Sequence, residues 1–189
     1  MSKKADGTTN IMGVMAKSKK LESDVMRSLV LDPLLVEALL KKVEETLYNV
    51  ISEESRVWLL KQYDKANAAE LNDLGWLYIA SAMARRKLGV CRLQFHGVDN
   101  HPIASMPTWS CADAGRILLI VRGLQGHLKS DLLPKIYAQG DEYEKEAILK
   151  GLAILDPVGE MVDLALDACR TNVLSMFTAV ALDNPYPAM

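Results

Sequence analysis

Apolar residues along this chain recur at steps of three and four, the repeat of a helix that buries one face, and nowhere alternate over the length of a strand. After Asp32-Pro33, an N-cap acceptor followed by a proline pre-set for the first helical position, Leu34, Leu35, Ala38, Leu39, Val43 and Leu47 trace one such face. Ser52, with Glu53 and Glu54 behind it, opens a second helix whose apolar surface comes from Val57, Leu59 and Leu60. From Ala68 to Leu88 a third face is made by Leu71, Leu74, Leu77, Tyr78, Ala82 and Met83. Arg85, Arg86 and Lys87 before Gly89 are the cations and the glycine that close a helix C-terminus.

Residues 90–107 carry Gly97, Asp99, Asn100, Pro102 and Pro107 without sustained periodicity and read as the one long irregular connection. Ser110, with Asp113 three residues on, predicts a capping-box start to the apolar run 117–121, which fades at Gly123 and Gly126. Asp141 with Glu144 repeats the device and opens a helix through Leu152 that stops near Asp156-Pro157. A final helical region follows Pro157, with Met161, Leu164, Ala165, Ala168, Val173, Phe177 and Val180 as its expected buried set. The predicted class is all-α: a mobile tail over 1–17, then one domain over 18–189 of about seven or eight helices in antiparallel pairs. Leu-Asp-Pro at 31–33 and again at 155–157 leaves a degenerate helical-repeat stack open, although no fixed period supports a regular solenoid.

Composition narrows the partners more than the fold. With 50% hydrophobic residues in 189, the chain can bury a sizeable core. Its 22 Lys+Arg against 24 Asp+Glu leave a net charge of −2, with no long-range pull on phosphate backbones, so nucleic acid is not an expected partner. The longest apolar run falls well short of the about 18 residues that cross a bilayer. The apolar stretch 11–16 is likewise shorter than a secretory core of about 7–15 residues. Cys91, Cys111 and Cys169 are odd in number and widely spaced, which predicts free thiols and a reducing, cytoplasmic setting.

Candidate chemistry is sparse. Cys91, His96, His101 and Cys111 are residue types that hold zinc, but their spacing is looser than the tight pairs of structural sites, and no metal is expected. No nucleophile elbow, phosphate loop, dinucleotide fingerprint or H-E-x-x-H occurs, so neither catalytic residues nor a cofactor are assigned. Trp109, Asp113 and Arg116 read either as an aromatic and a charged pair at a pocket edge or as a hydrophobic staple with a surface ion pair. Arg170 and Asn172 lie between apolar Ala168 and Val173, as a buried polar contact or as a satisfied helix break. In Asn184-Pro185-Tyr186-Pro187 the prolines fix the backbone and hold Tyr186 away from the helix end, to dock in its own domain or to be presented to a partner. These seven residues, Trp109, Asp113, Arg116, Arg170, Asn172, Asn184 and Tyr186, are the ligand- or partner-binding candidates.

The run Arg170-Thr171-Asn172, then Phe177-Thr178-Ala179-Val180-Ala181-Leu182, then Asn184-Pro185-Tyr186-Pro187-Ala188 resembles the C-terminal signature of the EboA family. Trp109-Ser110 with Asp113, Arg116 and Leu118-Leu119 is similar to that family's central helix start, and Trp58-Leu59 with the stretch 80–88 to its N-terminal part. The resemblance spans about residues 50–188; members of the family usually continue into a further aromatic- and Asn-containing helical stretch. It implies a helical protein encoded in one operon with a prenyltransferase-like membrane protein and TIM-barrel hydrolase-like proteins, linked to moving secondary metabolites towards the periplasm. No catalytic residues come with it. The expected function is thus a non-enzymatic adaptor or binder of an apolar small molecule, meeting the membrane only through partners from its operon. The alternatives are a biosynthetic enzyme whose helices enclose an apolar pocket lined by Trp109, Arg170 and Asn172, and a plain helical interaction module.

Overall fold

The computed structural model describes residues 33–69, 73–95, 109–124, 129–182, 184 and 186–188. Nine α-helices lie among them, so the all-α class is confirmed: α1 (Pro33–Val50), α2 (Glu53–Ala68), α3 (Gly75–Leu88), α4 (Cys111–Gly123), α5 (Lys129–Gln139), α6 (Glu142–Lys150), α7 (Leu152–Leu155), α8 (Val162–Cys169) and α9 (Leu174–Ala181). A 3₁₀ turn, Tyr186–Ala188, follows α9. The expected tail over 1–17 and the Asp32 cap lie outside the described residues.

Local cap chemistry places most of these starts. The Ser52 side chain accepts from the Ser55 N–H, and Ser110/Asp113 and Asp141/Glu144 each close a reciprocal capping box. Nine described helices exceed the seven or eight expected, and the pattern departs from the sequence reading in places, as where the helix opened by Asp141 ends at Lys150 and a short α7 follows. The third helix begins at Gly75 rather than near Ala68, because α2 runs on to Ala68 and breaks there. α5 was not foreseen, since Pro134 sits inside it, where it cannot donate the usual backbone bond.

α4 is the axis of the fold. Every residue from Cys111 to Ile120 is buried, because α1, α2, α3, α6 and α7 all pack around this helix. Close approach is made possible by two glycines: a Cβ on Gly115 would overlap the Leu88 side chain of α3, and one on Gly151 would overlap Ile117. One contiguous core runs from Val36 of α1 through Ile117 and Leu149 to Tyr186.

α8 and α9 form the outer pair, with α9 also packed on α6. The chain breaks between them at residues 170–173, which resets the helical phase. α9 therefore buries Met176, Ala179 and Val180, while Val173 and Phe177, expected inside, are left partly exposed. In α2, Val57 and Leu60 are likewise exposed, and Leu59, Gln62 and Tyr63 make the buried contact.

The irregular connection after α3 is closed at its base. Residues 91–93 run antiparallel to 109–111 through an Arg92–Ser110 bridge, with Leu93 N donating to Trp109 O at 2.8 Å and Cys111 N to Cys91 O at 2.9 Å. That pairing sets the Cα atoms of Cys91 and Cys111 5.7 Å apart, and a disulfide joins them. The expectation of three free cysteines is thereby corrected: Cys169 alone keeps a free thiol.

Candidate functional site

An apolar groove opens where α8, α9 and the C-terminal turn meet. α8 forms because Val162, Ala165, Leu166 and Cys169 follow a helical repeat, and the turn before it is held by one buried carboxylate. Asp156 accepts from Glu160 N at 3.0 Å and Met161 N at 2.7 Å, fixing the turn that leads into α8. Gly159, at φ +79°, takes the left-handed conformation that this turn requires. The result is that Val158, Val162 and Leu166 stand in a row, each about half exposed.

The tail closes the groove's far wall. Asn184 is buried, donates Nδ2 to the Leu149 carbonyl of α6, and accepts from Tyr186 N at 3.0 Å through Oδ1. Tyr186 turns inward, buried, and donates its hydroxyl to Asp156 Oδ2 at 2.5 Å. Burial first, then the bonded carboxylate, push the Tyr186 hydroxyl well above its ordinary pKa. Of the two readings of this tail, the structure has the tyrosine docked in its own domain.

Between these walls lies a cavity of about 460 Å³, with Val162, Leu166, Cys169, Val180 and Pro187 among the side chains that line it. That volume suits a small-molecule site, and small Ala165 and Ala181 in its wall leave the space open. Tyr186 is the polar group at its edge, and Cys169 its free thiol. A broader recess of about 700 Å³ between α5, α6, α8 and α9 mixes apolar Leu164, Val173 and Met176 with charged Lys145, Asp163 and Asp167.

The other predicted residues fall elsewhere. Trp109 is fully buried, edge-on to Phe95 at 6.4 Å between ring centres, and its Nε1 has no hydrogen-bond partner among the described residues. Asp113 and Arg116 do not pair with each other. Asp113 accepts from Ser110 N at 2.9 Å and from Lys150 Nζ at 3.3 Å, both through Oδ2, while Arg116 reaches the carbonyls of Ser81 and Tyr143. They share a recess with Arg85 and Glu146 at the head of α4. Burial alone would lower the pKa of Lys150, but Asp113 and Glu146 outweigh it and raise it above the lysine norm.

Arg170 and Asn172 sit in the exposed break between α8 and α9, not inside a helix. Arg170 pairs with Asp167 at 2.8 Å with both side chains 74% exposed. Of the zinc-type quartet, Cys91 and Cys111 are bonded to each other, and His96 and His101 lie outside the described residues. Sequence reasoning missed Asp156, Lys150 and the α8 stripe. In sequence Asp156 reads as a helix stop, and only the fold brings it Tyr186, 30 residues on, as a side-chain partner.

Residues 37–189 match the family described as metabolite traffic protein EboA. The chain belongs to the EboA family. No curated relative and no solved structure shows significant similarity to it. The matched span takes in α1 from its second turn onward, the head of α4 and the whole α8–α9 groove with its tail.

Proposed function

We propose that this EboA-family protein is a non-enzymatic carrier or adaptor that holds the apolar part of a small metabolite in the α8–α9 groove. The supporting observation is the stripe Val158, Val162 and Leu166, which leaves aliphatic surface in water along one wall of a 460 Å³ cavity. Burying such surface against a ligand is favourable by roughly 25 cal/mol per Å². The tyrosine that closes the groove is committed to Asp156, so apart from the Cys169 thiol the wall offers shape and apolar surface.

The family description, metabolite traffic, fits a protein that receives and hands on its ligand, with partner proteins of the same pathway as donors or acceptors. No helix among the described residues is long and apolar enough to cross a membrane, so membrane contact is assigned to those partners. With two of the three cysteines bonded, their odd number no longer points to a cytoplasmic setting, because lasting disulfides belong to oxidising compartments.

Titration with N-phenyl-1-naphthylamine, a neutral apolar fluorophore, tests the groove. One saturable site per chain is expected, with alkylation of Cys169 slowed as the site fills. Leu166→Glu, which puts a charge on the stripe, and Ala181→Trp, which fills the space, should each abolish the site while circular dichroism stays unchanged. Absence of saturable binding, or equal binding by both variants, would refute the assignment.

A further inference from the structure

The recess at the head of α4 is a second, smaller site that the groove does not involve. It encloses about 200 Å³, and its walls carry Arg85, Arg116 and Lys150 against Asp113 and Glu146. Three cations facing two carboxylates leave one net positive charge, and its distribution matters more than its size. Lys150 takes up both carboxylates, at 3.3 Å from Asp113 Oδ2 and 2.7 Å from Glu146 Oε1. The two arginines have no carboxylate partner among the described residues.

Both guanidinium groups converge on Tyr143. Arg116 is 3% exposed; its Nε donates to Ser81 O at 3.1 Å and its Nη1 makes a long contact to Tyr143 O at 3.5 Å. Arg85, one helical turn beyond Ser81 on α3, stacks over the Tyr143 ring at 3.9 Å. A guanidinium has five N–H donors and cannot shed its proton, so Arg116, which lines the recess, keeps donors to spare there, its described bonds going only to neutral carbonyls. A buried charge without a counter-charge is costly unless an anion supplies one.

We infer that this recess binds an oxyanion, the phosphate or carboxylate group of a small metabolite, between Arg85 and Arg116. Planar forked donors suit both groups, which can accept two parallel bonds. The volume admits a head group and excludes a drug-sized body, which needs about 300 Å³ or more. Exposed Arg85 and Tyr143 form the rim, so the anion enters from solvent while Arg116 meets it from the floor. The inference is independent of the apolar groove, whose fluorophore binding Arg85→Gln should leave untouched.

Inorganic phosphate and acetate are titrated separately into the full chain at ionic strength held constant with sodium chloride, by calorimetry and thermal melting. One saturable site per chain is expected, with a rise in melting temperature beyond the chloride control. Stronger phosphate binding assigns a phosphorylated ligand and stronger acetate binding a carboxylated one. Arg85→Gln removes an exposed arginine, so it should melt as the parent does, yet weaken the preferred anion about tenfold or more through loss of a charge-assisted contact. Arg116→Gln should weaken it further wherever the variant folds. No saturable response to either anion, or unchanged affinity in Arg85→Gln, would overturn the inference.

Discussion

Tyr186 and Asp156, 30 residues apart, are joined by a 2.5 Å hydrogen bond from the tyrosine hydroxyl to Oδ2 of the carboxylate. The same oxygen accepts from Met161 N, and Oδ1 accepts from Glu160 N, so one buried side chain holds both the turn before α8 and the tail. α8 and the tail are two walls of the apolar groove, and this contact ties the tail to the turn before α8.

Removing the hydroxyl alone separates that bond from packing. Tyr186→Phe should lower stability by about 1.5–3 kcal/mol, the range for a hydrogen bond to a charged group. The pH dependence has a definite sign. A tyrosine whose folded pKa is raised contributes stability fully present below its unfolded value of about 10 and lost as pH rises through the folded pKa. Tyr63 is also pushed up, first by burial, so an alkaline decline should persist in Tyr186→Phe but with a shallower slope. Urea titrations of parent and variant between neutral pH and pH 11 check this; parallel slopes would refute it.

What could be read from sequence divides by range. The caps at Ser52, Ser110 and Asp141 depend on side chains three residues from their backbone partners, so spacing alone predicts them. The buried polar contacts do not. Arg116 looks like a partner for Asp113 at i,i+3, but packing of α6 onto α4 delivers Lys150 to Asp113, and packing of α3 delivers the Ser81 carbonyl to Arg116. Asn172 marks a helix break as one of two readings, yet the phase change across 170–173, which exposes Phe177, is a property of where α9 packs. Tyr186 was legible as a rigidly held aromatic, whereas its partner was not.

At the α8–α9 break the expected result is near silence. The Arg170–Asp167 pair is an i,i+3 contact with both side chains in water, where screening and side-chain entropy consume most of the attraction. Arg170→Ala and Asn172→Ala should each change stability by less than about 0.5 kcal/mol. Chemical denaturation would contradict this exposed placement if either variant lost 2 kcal/mol or more, roughly four times the surface norm.

The Cys91–Cys111 bond makes a stoichiometric prediction. Thiol titration of the unfolded, unreduced protein should return one free cysteine per chain, Cys169, and three after reduction. The bond closes a loop with a sequence separation of 20, for which chain entropy gives about 3 kcal/mol of stabilisation. Cys91→Ser/Cys111→Ser should therefore melt about 6–12 °C lower, at 2–4 °C per kcal/mol for a chain of this size. Three free thiols without reductant would restore the reducing-compartment expectation.

Lys150 and Asp113 are both buried, so removing one partner leaves the other's charge uncompensated. Lys150→Met keeps most of the aliphatic stem and deletes only the ammonium; it should cost about 3–5 kcal/mol, since the buried Asp113 carboxyl loses its counter-charge. Asp113→Asn in the same chain removes that stranded charge while its amide oxygen still accepts from Ser110 N, so the double variant should be more stable than Lys150→Met alone. The raised pKa of Lys150 places its contribution below the unfolded lysine value of about 10.4 and predicts its loss as pH rises through the folded one. Denaturant titration at neutral pH of the parent, both single variants and the double variant measures the coupling directly. A double variant no more stable than Lys150→Met would mean that the ammonium acts through Glu146 at 2.7 Å rather than through Asp113.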